Sequence, residues 1–129
     1  MRIFFFLIAQ TFIFQSCTPL LRHRILGAWE MAKVTELDQD VSQTHNPANN
    51  RWITFLRDRT FKSGGEPYGD NSGKWKIDES KKILFLDSDA GEEDDSYWHI
   101  DFIGREMTWK GKNSEFAERF TLIFNRAAP

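Results

Sequence analysis

The chain has 129 residues, 40% of them hydrophobic and 28% charged, with a formal net charge of -2. That length holds one domain with one core, and the slightly acidic balance argues against nucleic acid, which calls for a basic surface. Its single cysteine, Cys17, excludes an internal disulfide, so burial alone has to hold the fold.

The chain opens with a greasy run. Arg2 supplies a minimal positive region, Ile3 to Phe14 is apolar apart from Gln10 and Thr11, and Ser16 puts a small residue just ahead of Cys17. The run is too short and too near the start for a membrane span, and its parts come in the order of a cleavable secretory leader. Phe14-Gln15-Ser16-Cys17 resembles the bacterial lipobox, with Phe14 where Leu is commonest and Gln15 where Ala or Ser is usual. The resemblance implies a signal peptide over 1–16, a mature domain over 17–129, and a membrane partner reached through lipid on Cys17. Thr18, in place of an acidic residue, resembles the outer-membrane address of enteric lipoproteins and implies an anchor facing the periplasm. The competing reading is a buried N-terminal strand or helix with an incidental thiol. Against it, no other segment could pair with so continuous an apolar run.

Thr18-Pro19 reads as an N-cap with proline at the first helical position, and Gly27 as a stop, so about two turns of helix are expected between them. The hydrophobic period then changes to two. Strands are expected at Ala28–Val34, Arg51–Leu56, Thr60–Ser63, Gly73–Ile77, Ile83–Leu86, Tyr97–Ile103, Glu106–Lys110 and Phe116–Asn125. Trp98, Ile100 and Phe102 share one face of the sixth, while Tyr97, His99 and Asp101 share the other. Gly104-Arg105 reads as a two-residue hairpin turn. Connections alternate in length along the chain, long at 35–50, 64–72 and 87–96 and medium at 111–115, short at 57–59, 78–82 and 104–105. In an up-and-down meander successive connections lie at opposite ends, so the longer ones gather at a mouth and the short ones at a tight base. A Greek key gives no reason for such alternation. The fold class is all-β: an eight-stranded up-and-down antiparallel barrel with a short N-terminal helix.

Several segments resemble the lipocalins, and in particular small bacterial lipocalin-like lipoproteins. Gly27-Ala28-Trp29 matches a Gly-x-Trp start to the first strand, and Phe55-Leu56-Arg57-Asp58-Arg59-Thr60-Phe61 looks like a Phe-x-x-Asp-Gly-Thr-Phe hairpin with Arg59 at the glycine. Gly73-Lys74-Trp75-Lys76-Ile77 and Ile83-Leu84-Phe85-Leu86 look like the two strands that follow. The resemblance implies a calyx-like barrel without enzymatic activity. It also implies that Trp29 plugs the barrel base with an arginine stacked on it. The meander brings Arg126 to that end; the alternative is an ordinary core tryptophan with Arg126 in solvent.

Inside the cup, the candidate ligand-binding residues are Trp75, Trp98, Trp109, Glu118 and Phe120. Strict alternation aims Glu118 inward beside Phe116, Phe120, Leu122 and Phe124, where a carboxylate must be paired, neutralised or wet. It is either a polar anchor for a ligand or is swung outward by a bulge near Ala117. The run Asp87–Asp95 is rich in oxygen ligands, but its spacing fits no EF-hand loop, and like charges in a row are the pattern of a solvated tip. No metal or other cofactor is expected. His99 and Asp101 share an outward face without a water-excluding pocket, and no Gly-x-Ser-x-Gly, His-Glu-x-x-His or phosphate-cradling motif occurs. The expectation is a non-enzymatic, lipid-anchored envelope protein binding a small apolar or cationic amphiphilic ligand. The alternative is an accessory subunit with a filled core that docks onto an envelope protein complex. Cavity volume separates the two. Acidic residues concentrate in the longer connections, whereas Arg22, Arg24, Arg57, Arg59, Lys81, Lys82, Arg105 and Arg126 fall at the base end, near the anchor.

Overall fold

The computed structural model describes residues 19–128; the expected leader over 1–16 and Cys17 lie outside the described residues. Its elements in chain order are α1 (Leu21–Arg24), β1 (Gly27–Glu36), β2 (Gln39–Asp40), α2 (Ser42–His45), β3 (Trp52–Phe55), β4 (Thr60–Gly64), β5 (Asn71–Asp78), β6 (Ile83–Ser88), β7 (Ser96–Ile103), β8 (Glu106–Gly111), α3 (Glu115–Glu118) and β9 (Phe120–Arg126). From β3 to β9 each strand pairs antiparallel with the next, β1 pairs with β3 on one edge and β9 on the other, and the sheet closes into an eight-stranded barrel. The two-residue β2 is a small appendage folded back on the upper end of β1.

Closure follows from the alternation of side chains. Trp29, Met31 and Val34 of β1, Ile53 and Phe55 of β3, Phe61 of β4 and Trp75 of β5 are buried on the inner face. Leu84, Leu86, Ile100, Met107, Trp109, Leu122 and Phe124 complete that core from β6 to β9. The shift from Met31 and the odd-numbered residues before it to Val34 is a bulge in β1, where its register against β9 slips between Met31 and Lys33. Full closure leaves no long unpaired edge.

The short connections are built as tight turns. Gly104-Arg105 joins β7 to β8 across the Ile103–Glu106 pair, with Gly104 at φ 59°. Between β3 and β4 the Arg59 amide donates to Leu56 O (3.1 Å) and Arg59 itself stands at φ 70°. This is a three-residue hairpin with an arginine where the left-handed position favours glycine.

Two segments differ from the sequence expectation. The N-terminal helix is one turn rather than two, and its free amides are capped from far along the chain: Leu21 N donates to Glu79 Oε1 (2.6 Å) and Arg22 N to Glu79 Oε2 (3.2 Å). The last strand begins at Phe120 instead of Phe116. Ser114 accepts from Ala117 N (2.9 Å) and caps α3, which packs against β8 at Gly111, where any side chain would collide with the Ala117 carbonyl. Glu118 therefore leaves the inner face by a helical turn, not by a bulge, and is exposed. The expectation that it projects into the cup is corrected.

Candidate functional site

The interior divides into a filled lower half and an open upper half. At the base, Trp29 is 1% exposed and its Nε1 donates to Ile25 O (2.8 Å), which pulls the end of α1 under the barrel. Arg126 stacks its guanidinium on the same indole, 4.0 Å from the ring centroid, while Nη2 donates to Arg24 O (2.7 Å) and Nη1 to Leu26 O. Gly27, at φ 107°, lies so close to this guanidinium that a Cβ there would stand 3.0 Å from Nη1. The glycine and tryptophan of Gly27-Ala28-Trp29 thus have separate reasons, a left-handed backbone under an arginine and an indole plug. Burial lowers the pKa of Arg126, and Arg105 and Arg24 lower it further by like-charge repulsion.

Above the plug lies a cavity of about 500 Å³ to which every barrel strand contributes. Ile53, Phe61, Leu86, Trp98, Trp109 and Leu122 supply its apolar and aromatic lining, and Ser63, Asn71 and Ser96 put polar groups among them, so polar surface is at least as extensive as apolar. Its upper margin carries Arg51, Tyr68, Asp70 and Asp94. The volume falls within the range of small-molecule sites, and the mixed lining offers indole faces beside hydroxyl, amide and carboxylate groups.

Of the residues expected in the cup, Trp98 and Trp109 line the cavity, their rings 5.4 Å apart. Trp109 Nε1 is the one buried side-chain polar atom without a hydrogen-bond partner among the described residues. Trp98 Nε1 is satisfied by Ser96 Oγ (2.9 Å). Trp75 is buried lower down, with Nε1 donating to Leu56 O (3.2 Å), and belongs to the filled half rather than the cavity wall. Phe120 stands at the rim, half-buried, its ring edge-on to His45 at 5.3 Å and 5.2 Å from Phe116. Glu118 is on α3 beside the rim. The structure brings together Trp98 with Trp109 and Trp29 with Arg126, and separates Trp75, Phe120 and Glu118 from the cavity.

Sequence reasoning missed the rim brace. Arg51 is half-buried, donates from Nη1 to His45 O (3.0 Å) and lies over the Tyr68 ring at 4.7 Å; burial lowers its pKa. Tyr68 Oη and His45 Nδ1 share a hydrogen bond (2.6 Å), and buried Asn46 accepts from the amides of Asn50 and Arg51 while donating to Met31 O (3.3 Å). These contacts tie the β1–β3 connection to the β4–β5 loop across the mouth. No local pattern announces them, because the partners meet only across the closed barrel. In the Asp87–Asp95 loop, Asp95 accepts from Ser88 N (2.8 Å) and Asp89 from Ser72 Oγ (2.9 Å), so two of its carboxylates serve as turn acceptors. On the outer wall, Asp101 pairs with Lys82 (3.3 Å) and with His99 (3.5 Å).

The architecture is similar to that of a solved structure, a DUF4847 family protein from Bacteroides vulgatus, with a TM-score of 0.57 and 13% identity, covering 81% of this chain and 95% of that one. The likeness is one of fold. No protein-family model and no curated protein matches the sequence.

Proposed function

We propose that this chain is a lipid-anchored envelope protein whose barrel binds a small apolar or cationic amphiphilic ligand in its upper half, acting by binding and not by catalysis. The observation that carries the reading is the cavity of about 500 Å³ walled by Trp98, Trp109, Phe61 and Leu86 inside a closed barrel. A carrier needs such a space, and a filled accessory barrel does not. The ligand's apolar part would lie against the two indoles, within reach of the unpartnered Trp109 Nε1 if it bears a buried acceptor. Its head would stand at the rim, where Asp70 and Asp94 add to the acidic loops. The one cation of the lining, Arg51, is engaged with His45 O and Tyr68. An acidic mouth favours cations and neutral molecules over carboxylates. Lipid on Cys17 would tether the molecule by its base, since the chain from Cys17 to Pro19 spans at most about 7 Å, leaving the mouth turned away from the bilayer.

The test is a titration of the purified full chain, read by tryptophan fluorescence, with a fatty acid and a cationic amphiphile of equal chain length at low and moderate salt. Tighter, saturable binding of the cationic amphiphile, with an advantage that shrinks as salt rises, is expected. Tighter binding of the fatty acid, insensitive to salt, overturns the head-group assignment. No saturable binding of either sinks the carrier reading and favours the accessory subunit. Intact-mass analysis of membrane-extracted protein tests the anchor separately: a lipid adduct on a chain starting at Cys17 is expected, and an unmodified chain starting at Met1 or Thr18 overturns it.

A further inference from the structure

We propose that the base of the barrel carries a second site, for a phosphate-type anion, formed by Arg22, Arg57 and Arg59 around the edge of Trp75. The three arginines line a pocket of about 470 Å³ together with His23, Leu26 and Trp75, on the opposite end of the molecule from the cup. They come from two separate segments, α1 and the β3–β4 turn, which the closed base brings together.

The neighbouring carboxylates keep their charge but turn their oxygens to neutral donors rather than to the guanidiniums. Asp58, between two of the arginines, accepts from Thr60 N (3.0 Å) and Thr60 Oγ1 (2.5 Å). Glu79 accepts the two α1 amides, and Asp78 accepts from Lys81 N (3.0 Å) and Ser80 Oγ (2.8 Å). The ion pairs among the described residues all involve Asp101 on the outer wall, so among these residues none of the three pocket guanidiniums is held in a direct ion pair. Arg24, Arg105 and Arg126 lie at the same end and add to the positive field, which already acts on Arg126.

Arg59 supplies the most specific part of the argument. It occupies the left-handed position of its turn, at φ 70°, where glycine would be unstrained. From there its guanidinium carbon lies 4.8 Å from the centroid of the Trp75 ring, over the indole at the pocket wall. A guanidinium fixed by stacking loses less freedom on gripping an anion, and its fork matches phosphate oxygens. A phosphate can come from an anionic lipid head group or from a soluble phosphate compound, and the chemistry of recognition is the same for both.

The experiment uses the purified full chain in flotation with vesicles of phosphatidylcholine alone and of phosphatidylcholine with phosphatidylglycerol. Any lipid or leader on the chain adds equally to both, so the ratio of bound protein reads the arginines. A preference for the anionic vesicles is expected, weakening with salt, and falling by about fivefold for each arginine lost in Arg57→Gln and in Arg57→Gln/Arg59→Gly. Lys33→Gln/Lys110→Gln, which removes equal charge from exposed positions on the outer wall, is expected to retain the preference. In the second arm inorganic phosphate is added without vesicles and tryptophan fluorescence is followed. A saturable change that Arg57→Gln weakens, without a vesicle preference, identifies a soluble phosphate as the occupant. Equal loss in the lysine control, or no response in either arm, overturns the site. The substitutions lie away from the cup, so this result and the amphiphile titration fail independently.

Discussion

The Arg126 guanidinium lies 4.0 Å from the centroid of the Trp29 indole and donates at the same time to the carbonyls of Arg24 and Leu26. One side chain from the last strand thus fastens the first strand and the helix that precedes it, closing the base where the two ends of the sheet meet. Replacing Arg126 by Ala removes a cation–π contact and leaves two carbonyls without their donor, a loss of about 2 kcal/mol in urea melts. Arg126→Lys keeps the charge and is expected to recover less than half of it, because an ammonium lacks the planar fork. A loss below about 0.5 kcal/mol for the alanine variant would show that the stack is incidental.

Two of the three buried tryptophans, Trp29 and Trp109, differ in one atom's circumstances, and that difference is measurable. Trp29 Nε1 has Ile25 O as acceptor, whereas Trp109 Nε1 has none. Trp29→Phe abandons a buried carbonyl, while Trp109→Phe removes a donor that gains nothing. Trp29→Phe is therefore expected to be the more destabilising by about 1–2 kcal/mol, and Trp29→Ala to cost about 3–5 kcal/mol by opening the plug. Equal costs for the two phenylalanine variants would mean that Trp109 has a partner in solution, such as a bound water.

Acid stability should depend on the turn aspartates. Thr60's hydroxyl and then its amide hold the Asp58 carboxyl below its ordinary pKa; the Lys81 amide and then the Ser80 hydroxyl do so for Asp78. A carboxyl with a lower pKa folded than unfolded binds fewer protons in the native state. Its stabilisation is complete above the unfolded value of about 3.9 and disappears as pH falls through the folded value. Urea midpoints followed from neutral pH into acid should drop more steeply for the native chain than for Asp58→Asn/Asp78→Asn. Parallel curves would remove these turns from the account of acid unfolding.

Glu118 provides a negative control for the cup. It is exposed on α3, two residues before β9 begins at Phe120, and takes no part in the cavity wall. Glu118→Gln should leave the melting midpoint and the affinity for an amphiphile unchanged within error. A clear fall in affinity with an unchanged midpoint would restore the residue to the site.

The sequence by itself determined the architecture, because the information is local and repeated. Alternation of buried and exposed residues is written along each strand with period two, and connection length marks which end each loop occupies. Glycine at position 27 and tryptophan at 29 likewise carry their own requirements, and the structure meets both with a left-handed backbone and a buried plug. Tertiary structure decided the rest. At Phe116–Glu118 the period-two pattern continued, yet the Ser114 cap and the close approach to Gly111 favoured a helical turn, and the carboxylate left the interior. Whether the aromatic core is filled or hollow depends on how each ring turns against partners distant in sequence: Trp75 packs down against Phe55 and Arg59, while Trp98 and Trp109 wall a cavity. Arg51 with Tyr68, and Arg22 with Arg57 and Arg59, become neighbours only when the sheet closes on itself. Strand formation depends on residues two apart, and a site depends on residues that closure makes adjacent.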